Sequence, residues 1–215
     1  KLTRLFQFVL LLGMLLSLIE IASAKFTGGS QTQLVEGDAI LFRRGEEIRL
    51  SLAPSTLEDK DLIRTLENGK VRLTLMGDDM MFLAPKTEIR FEEKLETKGL
   101  AKIRNRTLKI KGRLLARIQR NEATPIQIRT PNAIVGVKGT EFVVEFLSKA
   151  TNVGTLTGTV NLSSFTTGDS IDLEAGTMSS VSVTGEVLPP TEFSGDLMRD
   201  FEFAGESMGE EDASG

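Results

Sequence analysis

The sequence lacks four side chains on which much enzyme chemistry depends: its 215 residues include no Cys, His, Trp or Tyr. Without Cys there can be no disulfide, no thiol nucleophile and no thiolate-bound metal. Without His there can be no Ser-His-Asp triad and no imidazole base. The spacings of a nucleophile elbow, a phosphate-binding loop and a calcium loop are also missing. We therefore predict a non-catalytic protein with no catalytic residue, no metal site and no cofactor.

The first residues have the features of an export signal. Lys1 and Arg4 are basic, residues 8–19 form an apolar run, and Ala22-Ser23-Ala24 follows. This order predicts a signal peptide over residues 1–24, cleaved near Ala24. The run is shorter than the roughly 20 residues of a membrane span, and the alternative is an uncleaved anchor in the inner membrane. A periplasmic or secreted location follows from cleavage, and the absence of Cys suits an oxidising compartment.

Alternation of apolar and polar residues dominates the next part of the chain. It is clearest in residues 70–75, 141–146, 155–162 and 170–174, which are separated by glycine-containing turns. Period-two alternation is typical of antiparallel strands that are buried on one face. The sequence therefore predicts an all-β domain over residues 25–188. We expect an antiparallel, jelly-roll-like sandwich, with a short β-solenoid as the alternative.

The chain changes character after residue 188. Residues 189–215 are rich in acidic side chains, and we predict a tail that is partly disordered there. Within this tail, Ser194 is placed to cap a short C-terminal helix. Leu197, Met198 and Phe201 would share one side of that helix.

A basic ribbon precedes the most distinctive motif: residues 98–120 contain nine basic side chains and no acidic one. Their spacing predicts a hairpin or one long strand with a positive outer face. Such a face can bind an anionic membrane surface or a polysaccharide, can be an ordinary solvated face, or can pair with the acidic tail. We expect no nucleic acid, because the protein is exported, is net acidic and lacks aromatic residues within the ribbon. The candidate patch consists of Lys102, Arg104, Arg106, Lys109, Lys111, Arg113 and Arg117.

The segment that follows the ribbon, residues 129–142, reads RTPNAIVGVKGTEF. It resembles the signature of the FecR domain family, and the resemblance extends over residues 35–183. The matching positions are Arg129, Thr130, Pro131, Gly136, Lys138, Gly139, Thr140 and Phe142.

Elementary stereochemistry gives the same motif a structural interpretation. Proline restricts Thr130 to extended backbone, and Gly136 and Gly139 permit a positive φ or a close backbone approach. The Thr140 hydroxyl is placed to bond the local backbone, and Phe142 begins an alternation that enters the core. The motif is thus either a corner of the fold or a docking site.

The resemblance implies an exported β-rich domain that acts in envelope signalling. The best-known members are anti-sigma regulators with a cytoplasmic segment before their membrane span. Only seven residues precede the apolar run here, so we expect no sigma-factor contact. The predicted function is binding or scaffolding of an envelope protein in signalling or assembly. The alternative is polyanion or carbohydrate binding through the ribbon of residues 98–120.

Overall fold

The computed structural model describes residues 29–76, 79–98, 100–119 and 125–201, without the side chains of Lys98 and Ala101. The predicted signal peptide and the part of the acidic tail after Phe201 lie outside these residues. Within the described ranges, no helix has both the length and the apolar character needed to span a membrane.

Seventeen strands form in the described part of the chain, and neighbouring strands are mostly antiparallel. They are β1 (Gln31–Glu36), β2 (Ala39–Arg43), β3 (Glu46–Arg49), β4 (Ser55–Thr56), β5 (Leu62–Thr65), β6 (Lys70–Leu75), β7 (Asp79–Leu83), β8 (Glu88–Lys98), β9 (Ala101–Ile118), β10 (Ile126–Arg129), β11 (Ala133–Val137), β12 (Thr140–Leu147), β13 (Ala150–Thr157), β14 (Thr159–Ser164), β15 (Ser170–Glu174), β16 (Thr177–Val181) and β17 (Thr191–Glu192).

The strands form two sheets that share β9. Sheet A has the order β4-β1-β6-β7-β9-β12-β13-β16-β17. Sheet B has the order β3-β2-β5-β8-β9-β10-β11-β14-β15, and its β9–β10 pair is parallel. The ribbon therefore contains one long strand, β9, which forms a hairpin with β8, as the spacing predicted.

Gly112 lies where β9 passes from sheet B to sheet A. Its φ is +112°, and a Cβ atom there would lie 2.6–2.9 Å from Thr87. Only glycine fits this left-handed backbone and this close approach. Leu108 and Ile110 before the crossing and Leu114 after it all pack into the same core.

Alternate side chains of the two sheets meet in one core. From sheet A, Val71, Leu73 and Leu114 are fully buried there, and Leu41 and Ile63 come from sheet B. Each such side chain stabilises the fold by about 1.5–3 kcal/mol relative to exposure. The strands predicted from the alternation in residues 70–75 and 141–146 are confirmed as β6 and β12.

A second apolar cluster covers the outer face of sheet A. Phe82, Leu115 and Val143 of the sheet contact Leu197 and Phe201 of the segment that follows β17. We call residues 193–201 the C-terminal strap. The strap makes sheet A apolar on both faces, whereas the outer face of sheet B has no comparable cover among the described residues.

The all-β prediction is confirmed, and its finer details are not. Neither a jelly roll nor a solenoid is confirmed, because one long strand belongs to both sheets of a mixed system. The predicted C-terminal helix is a single 3-10 turn over Gly195–Met198, although Ser194 caps it as expected and accepts a hydrogen bond from the Asp196 amide. A run this short does not sustain an α-helix by itself.

Candidate functional site

The signature segment, residues 129–142, includes the last residue of β10, all of β11 and the start of β12. Strand β10 pairs with β9 on one side and with β11 on the other, near the middle of sheet B. The signature is therefore next to the basic strand, a neighbourhood that the sequence order alone does not reveal. Phe142 then enters the buried core as predicted, with Val144 two residues later.

The corner between β10 and β11 is held by hydrogen bonds. The Thr130 hydroxyl lies 2.7 Å from that of Thr151 and accepts a 3.0 Å hydrogen bond from the Ala133 amide. The Asn132 side-chain amide donates to the carbonyls of Val181 and Ser182 at 3.2 and 3.0 Å. Thr130 and Asn132 thus join the signature corner to strands β13 and β16, which is a structural role.

The remaining signature residues divide into structural and unexplained positions. Gly139 has a φ of +69°, as the glycine prediction required. Gly136 has no positive φ, and a Cβ atom there would find its nearest neighbours, in Asn161, at 3.8 Å. The stereochemical reason predicted for Gly136 was therefore wrong. The local bond predicted for Thr140 was also wrong, because its buried hydroxyl has no hydrogen-bond partner among the described residues.

An apolar pocket opens beside the signature corner on the outer face of sheet B. Its volume is about 360 Å³, and its apolar lining includes Leu62, Pro131 and Phe165. Phe165 is 47% exposed, which is unusual for a large aromatic side chain. The Arg129 guanidinium lies 5.8 Å from the centre of that ring, within cation–π range. We call this cavity the signature pocket.

Basic side chains surround the signature pocket. Leu62, Arg90, Lys109 and Arg129 lie opposite one another on four neighbouring strands, so their spacing is close to 5 Å from strand to strand. Lys111 also lines the pocket. The one carboxylate in the lining belongs to Glu88, and it already pairs with Arg64 at 2.8 Å. The rim therefore carries a net positive charge.

Most of the basic ribbon, including Lys109 of the pocket rim, is neutralised by carboxylates from neighbouring strands. Arg104 pairs with Glu93 at 2.6 Å, and Lys109 pairs with Glu92 at 2.7 Å. The Arg117 guanidinium lies 3.7 Å from Glu141. Lys102 and Lys111 are exposed, and neither forms an ion pair with another described residue.

Arg106 does not belong to a surface patch, so that part of the prediction was wrong. Its side chain is completely buried and pairs with Asp79 at 2.7 Å. It also donates a 3.0 Å hydrogen bond to the Met76 carbonyl. The alternation of β9 turns Arg106 inward, where a charge is tolerated because it is paired and hydrogen-bonded.

Arg113 connects the ribbon to the C-terminal strap. Its guanidinium pairs with Glu145 of β12 and with Asp200 of the strap. Burial lowers the pKa of Arg113, but the hydrogen bonds and charges of Glu145 and Asp200 outweigh burial and raise that pKa overall. The predicted pairing between the ribbon and the acidic C-terminal region is confirmed for this one pair.

A larger polar cleft continues from the signature pocket across sheet B. Its volume is about 1060 Å³, and both Gly136 and Lys138 of the signature line it. One row across its floor consists of Glu92, Thr107, Gln127, Gly136, Asn161 and Asp172. Gly136 is the one position in this row without a side chain. The cleft and the signature pocket share Arg129 and together form the candidate docking surface.

Sequence reasoning missed Phe165, Leu62 and Arg90. Phe165 follows the alternating strand β14, so its apolar character was the available signal. Arg90 and Leu62 join the site only through the pairing of β5, β8 and β9, which the sequence does not encode locally. In the part of the chain that the structure describes, no group of three or more acidic side chains lies together as metal ligands would.

These features describe an all-β domain with a candidate docking surface, and a comparison with known families matches part of it. A family model described as FecR protein matches residues 61–161. Residues 61–161 therefore match the FecR domain, and the resemblance found in the signature is confirmed. The match includes the whole signature segment, the ribbon and strands β5 to β13.

Solved structures agree at the level of the fold. Two crystal structures of a provisionally described anti-sigma factor from Parabacteroides distasonis are 22% identical to this chain, with TM-scores of 0.51 and 0.50. Each alignment covers 61% of this chain and 59% of that chain, so this chain spans less than two thirds of their length. A comparison with curated proteins finds no match.

Proposed function

We propose that this chain is a non-catalytic regulatory module of the cell envelope that docks another envelope protein in the signature pocket. The observation that carries the proposal is the exposed ring of Phe165 beside Pro131, surrounded by cations on the signature face. Aromatic side chains in a pocket, with arginine nearby, are the usual anchors of protein interfaces. The signature then has two roles: Thr130 and Asn132 hold the corner together, and Arg129 and Pro131 line the pocket that a partner would contact.

The comparisons support a role in signalling. The FecR domain is the matched unit, and the structures with a similar fold are described as an anti-sigma factor. A domain that relays a signal needs a surface that recognises a protein, and the signature pocket supplies one. We propose a periplasmic location on the strength of the predicted signal peptide.

The alternative, polyanion or carbohydrate binding by the ribbon, has weaker support. A polyanion binds strongly where several cations are free of local carboxylates. In the ribbon, Arg104, Lys109, Arg113 and Arg117 pair with carboxylates of other segments. Their positive field is largely cancelled before any ligand arrives. Docking of a protein instead depends on the apolar lining and the charged rim of the signature pocket. The ion pairs of the ribbon leave that pocket open.

Position-resolved crosslinking in cells tests the proposed function. A photo-crosslinking residue replaces Lys109 at the rim of the signature pocket and, in a matched strain, Thr157 at an exposed end of β13. We expect one reproducible envelope protein to be captured from position 109 and not from position 157, as identified by mass spectrometry. Capture of lipid or glycan adducts alone, lost at high salt, would support the polyanion alternative. Equal capture of the same protein from both positions would refute docking at this pocket.

A further inference from the structure

The C-terminal end of the described chain lies close to the basic side of the signature pocket. Asp200 pairs with Arg113, and Phe201 is buried against the outer face of sheet A. Arg113 is two residues from Lys111 along β9, and Lys111 lines the pocket. The segment that follows Phe201 therefore starts beside the same strand that supplies the pocket rim.

The composition of that segment is complementary to the pocket. Residues 202–215 carry five acidic side chains and no basic one. The pocket rim carries Arg90, Lys109, Lys111 and Arg129. Of these, Arg90 and Lys111 form no ion pair with another described residue, so they remain available for a carboxylate. Opposite charges on a tethered segment and its neighbouring surface attract at the short range set by salt screening.

The segment also carries apolar side chains that suit the pocket. Phe203 and Met208 are its large apolar residues. The pocket presents Leu62, Pro131 and the exposed ring of Phe165. Fourteen extended residues reach about 46 Å, whereas the four-residue step from Arg113 to Lys109 along a strand is about 13 Å. Phe203, two residues beyond Phe201, reaches only about 7 Å, whereas Met208, seven residues beyond it, reaches about 23 Å and can enter the pocket.

We propose that residues 202–215 of this chain dock in the signature pocket and on its basic rim. The occupant is thus the chain's own acidic C-terminal segment, and an incoming partner must displace it. This inference goes beyond the proposed function and does not depend on it, because the docked segment can be detected with no partner present. A tethered competitor of this kind weakens partner binding in proportion to the time it spends in the pocket.

The absence of cysteine makes a direct test possible. Ser207→Cys introduces one thiol into the full chain, and a nitroxide spin label on it broadens the amide resonances of residues near the label. We expect broadening around Arg90, Lys109, Arg129 and Phe165 at low ionic strength. We expect its loss in about 1 M salt, where the screening length falls to about 3 Å. The diamagnetic form of the same labelled protein supplies the reference spectrum.

Two charge-reversal pairs make the test specific. Lys109→Glu with Lys111→Glu should abolish the broadening, since it reverses the rim. Arg44→Glu with Arg49→Glu changes the net charge equally at side chains that are 83% and 79% exposed, and it should leave the broadening unchanged. The unbroadened spectra report whether each variant is folded. Broadening confined to sheet A near Arg113, or broadening that survives reversal of the rim, would overturn the proposal.

Discussion

Gly136 gives the sharpest prediction, because the structure shows no stereochemical need for a glycine there. It lies on strand β11 without a positive φ, and a Cβ atom would find its nearest neighbours at 3.8 Å, an ordinary van der Waals distance. A glycine in a strand costs about 0.5–1 kcal/mol relative to alanine. We therefore expect Gly136→Ala to raise the free energy of unfolding by up to about 1 kcal/mol.

Gly139 is the matched control from the same signature. Its φ of +69° lies in the left-handed region, which costs an L-residue about 1–2 kcal/mol. Gly139→Ala should lower the free energy of unfolding by that amount. In a protein of this size, each kcal/mol shifts Tm by about 2–4 °C. Urea and thermal unfolding should therefore move the two variants in opposite directions.

A larger side chain at position 136 separates stability from function. Gly136→Leu would fill the floor of the cleft while facing away from the core, so the fold should persist. The capture of a partner from position 109 should nevertheless fall. If Gly136→Ala destabilises the protein as much as Gly139→Ala does, the reasoning is refuted. Gly136 would then be a structural glycine, and its place in the cleft would carry no functional meaning.

Three further predictions concern the interior and the signature corner. Arg106→Met should lower the free energy of unfolding by about 3–5 kcal/mol, as measured in urea, because it removes the guanidinium that pairs with the buried Asp79 carboxylate. A surface role for Arg106 predicts almost no change. Gly154→Ala should displace the C-terminal strap, since the new Cβ atom would lie 2.2 Å from the Phe193 ring. Faster amide hydrogen exchange confined to residues 193–201 would show this displacement, and unchanged exchange would contradict it. Asn132→Ala should destabilise the corner by about 1–3 kcal/mol, because it removes the amide that donates to the part-buried carbonyls of Val181 and Ser182. Thermal unfolding measures the loss, and an unchanged Tm would contradict it.

Strands β6 and β15, which the sequence predicted, are buried on one face only, whereas the strand predicted over residues 155–162 is divided by a turn at Gly158, between β13 and β14. Strand β6 alternates because one of its faces packs in the core and the other is only partly buried. Its sequence shows this alternation directly. Strand β7 is buried at every position and shows no alternation. Its outer residues Met80 and Phe82 are covered by the distant C-terminal strap. The fold class could be predicted, but the shared strand β9 and the strap depend on contacts between distant segments.

The candidate site could be predicted only in part for the same reason. The signature was recognisable because its residues are contiguous. The carboxylates that neutralise Arg104 and Arg117 come from β8 and β12, so the ribbon alone overstated the positive charge. Phe165 reaches Arg129 across the sheet. A pocket assembled from separate strands has no local pattern that a sequence analysis can detect.

The most direct test of the docking surface compares two exposed apolar side chains. Phe165 is 47% exposed in the signature pocket, and Leu147 is 56% exposed at the end of β12. With the photo-crosslinking residue at position 109, we predict that Phe165→Ser lowers the yield of the captured envelope protein at least tenfold. Tenfold corresponds to about 1.4 kcal/mol of binding free energy, within the range of an interface anchor. Leu147→Ser should leave the yield unchanged. Equal yields from the two variants, or a loss confined to Leu147→Ser, would contradict docking in the signature pocket.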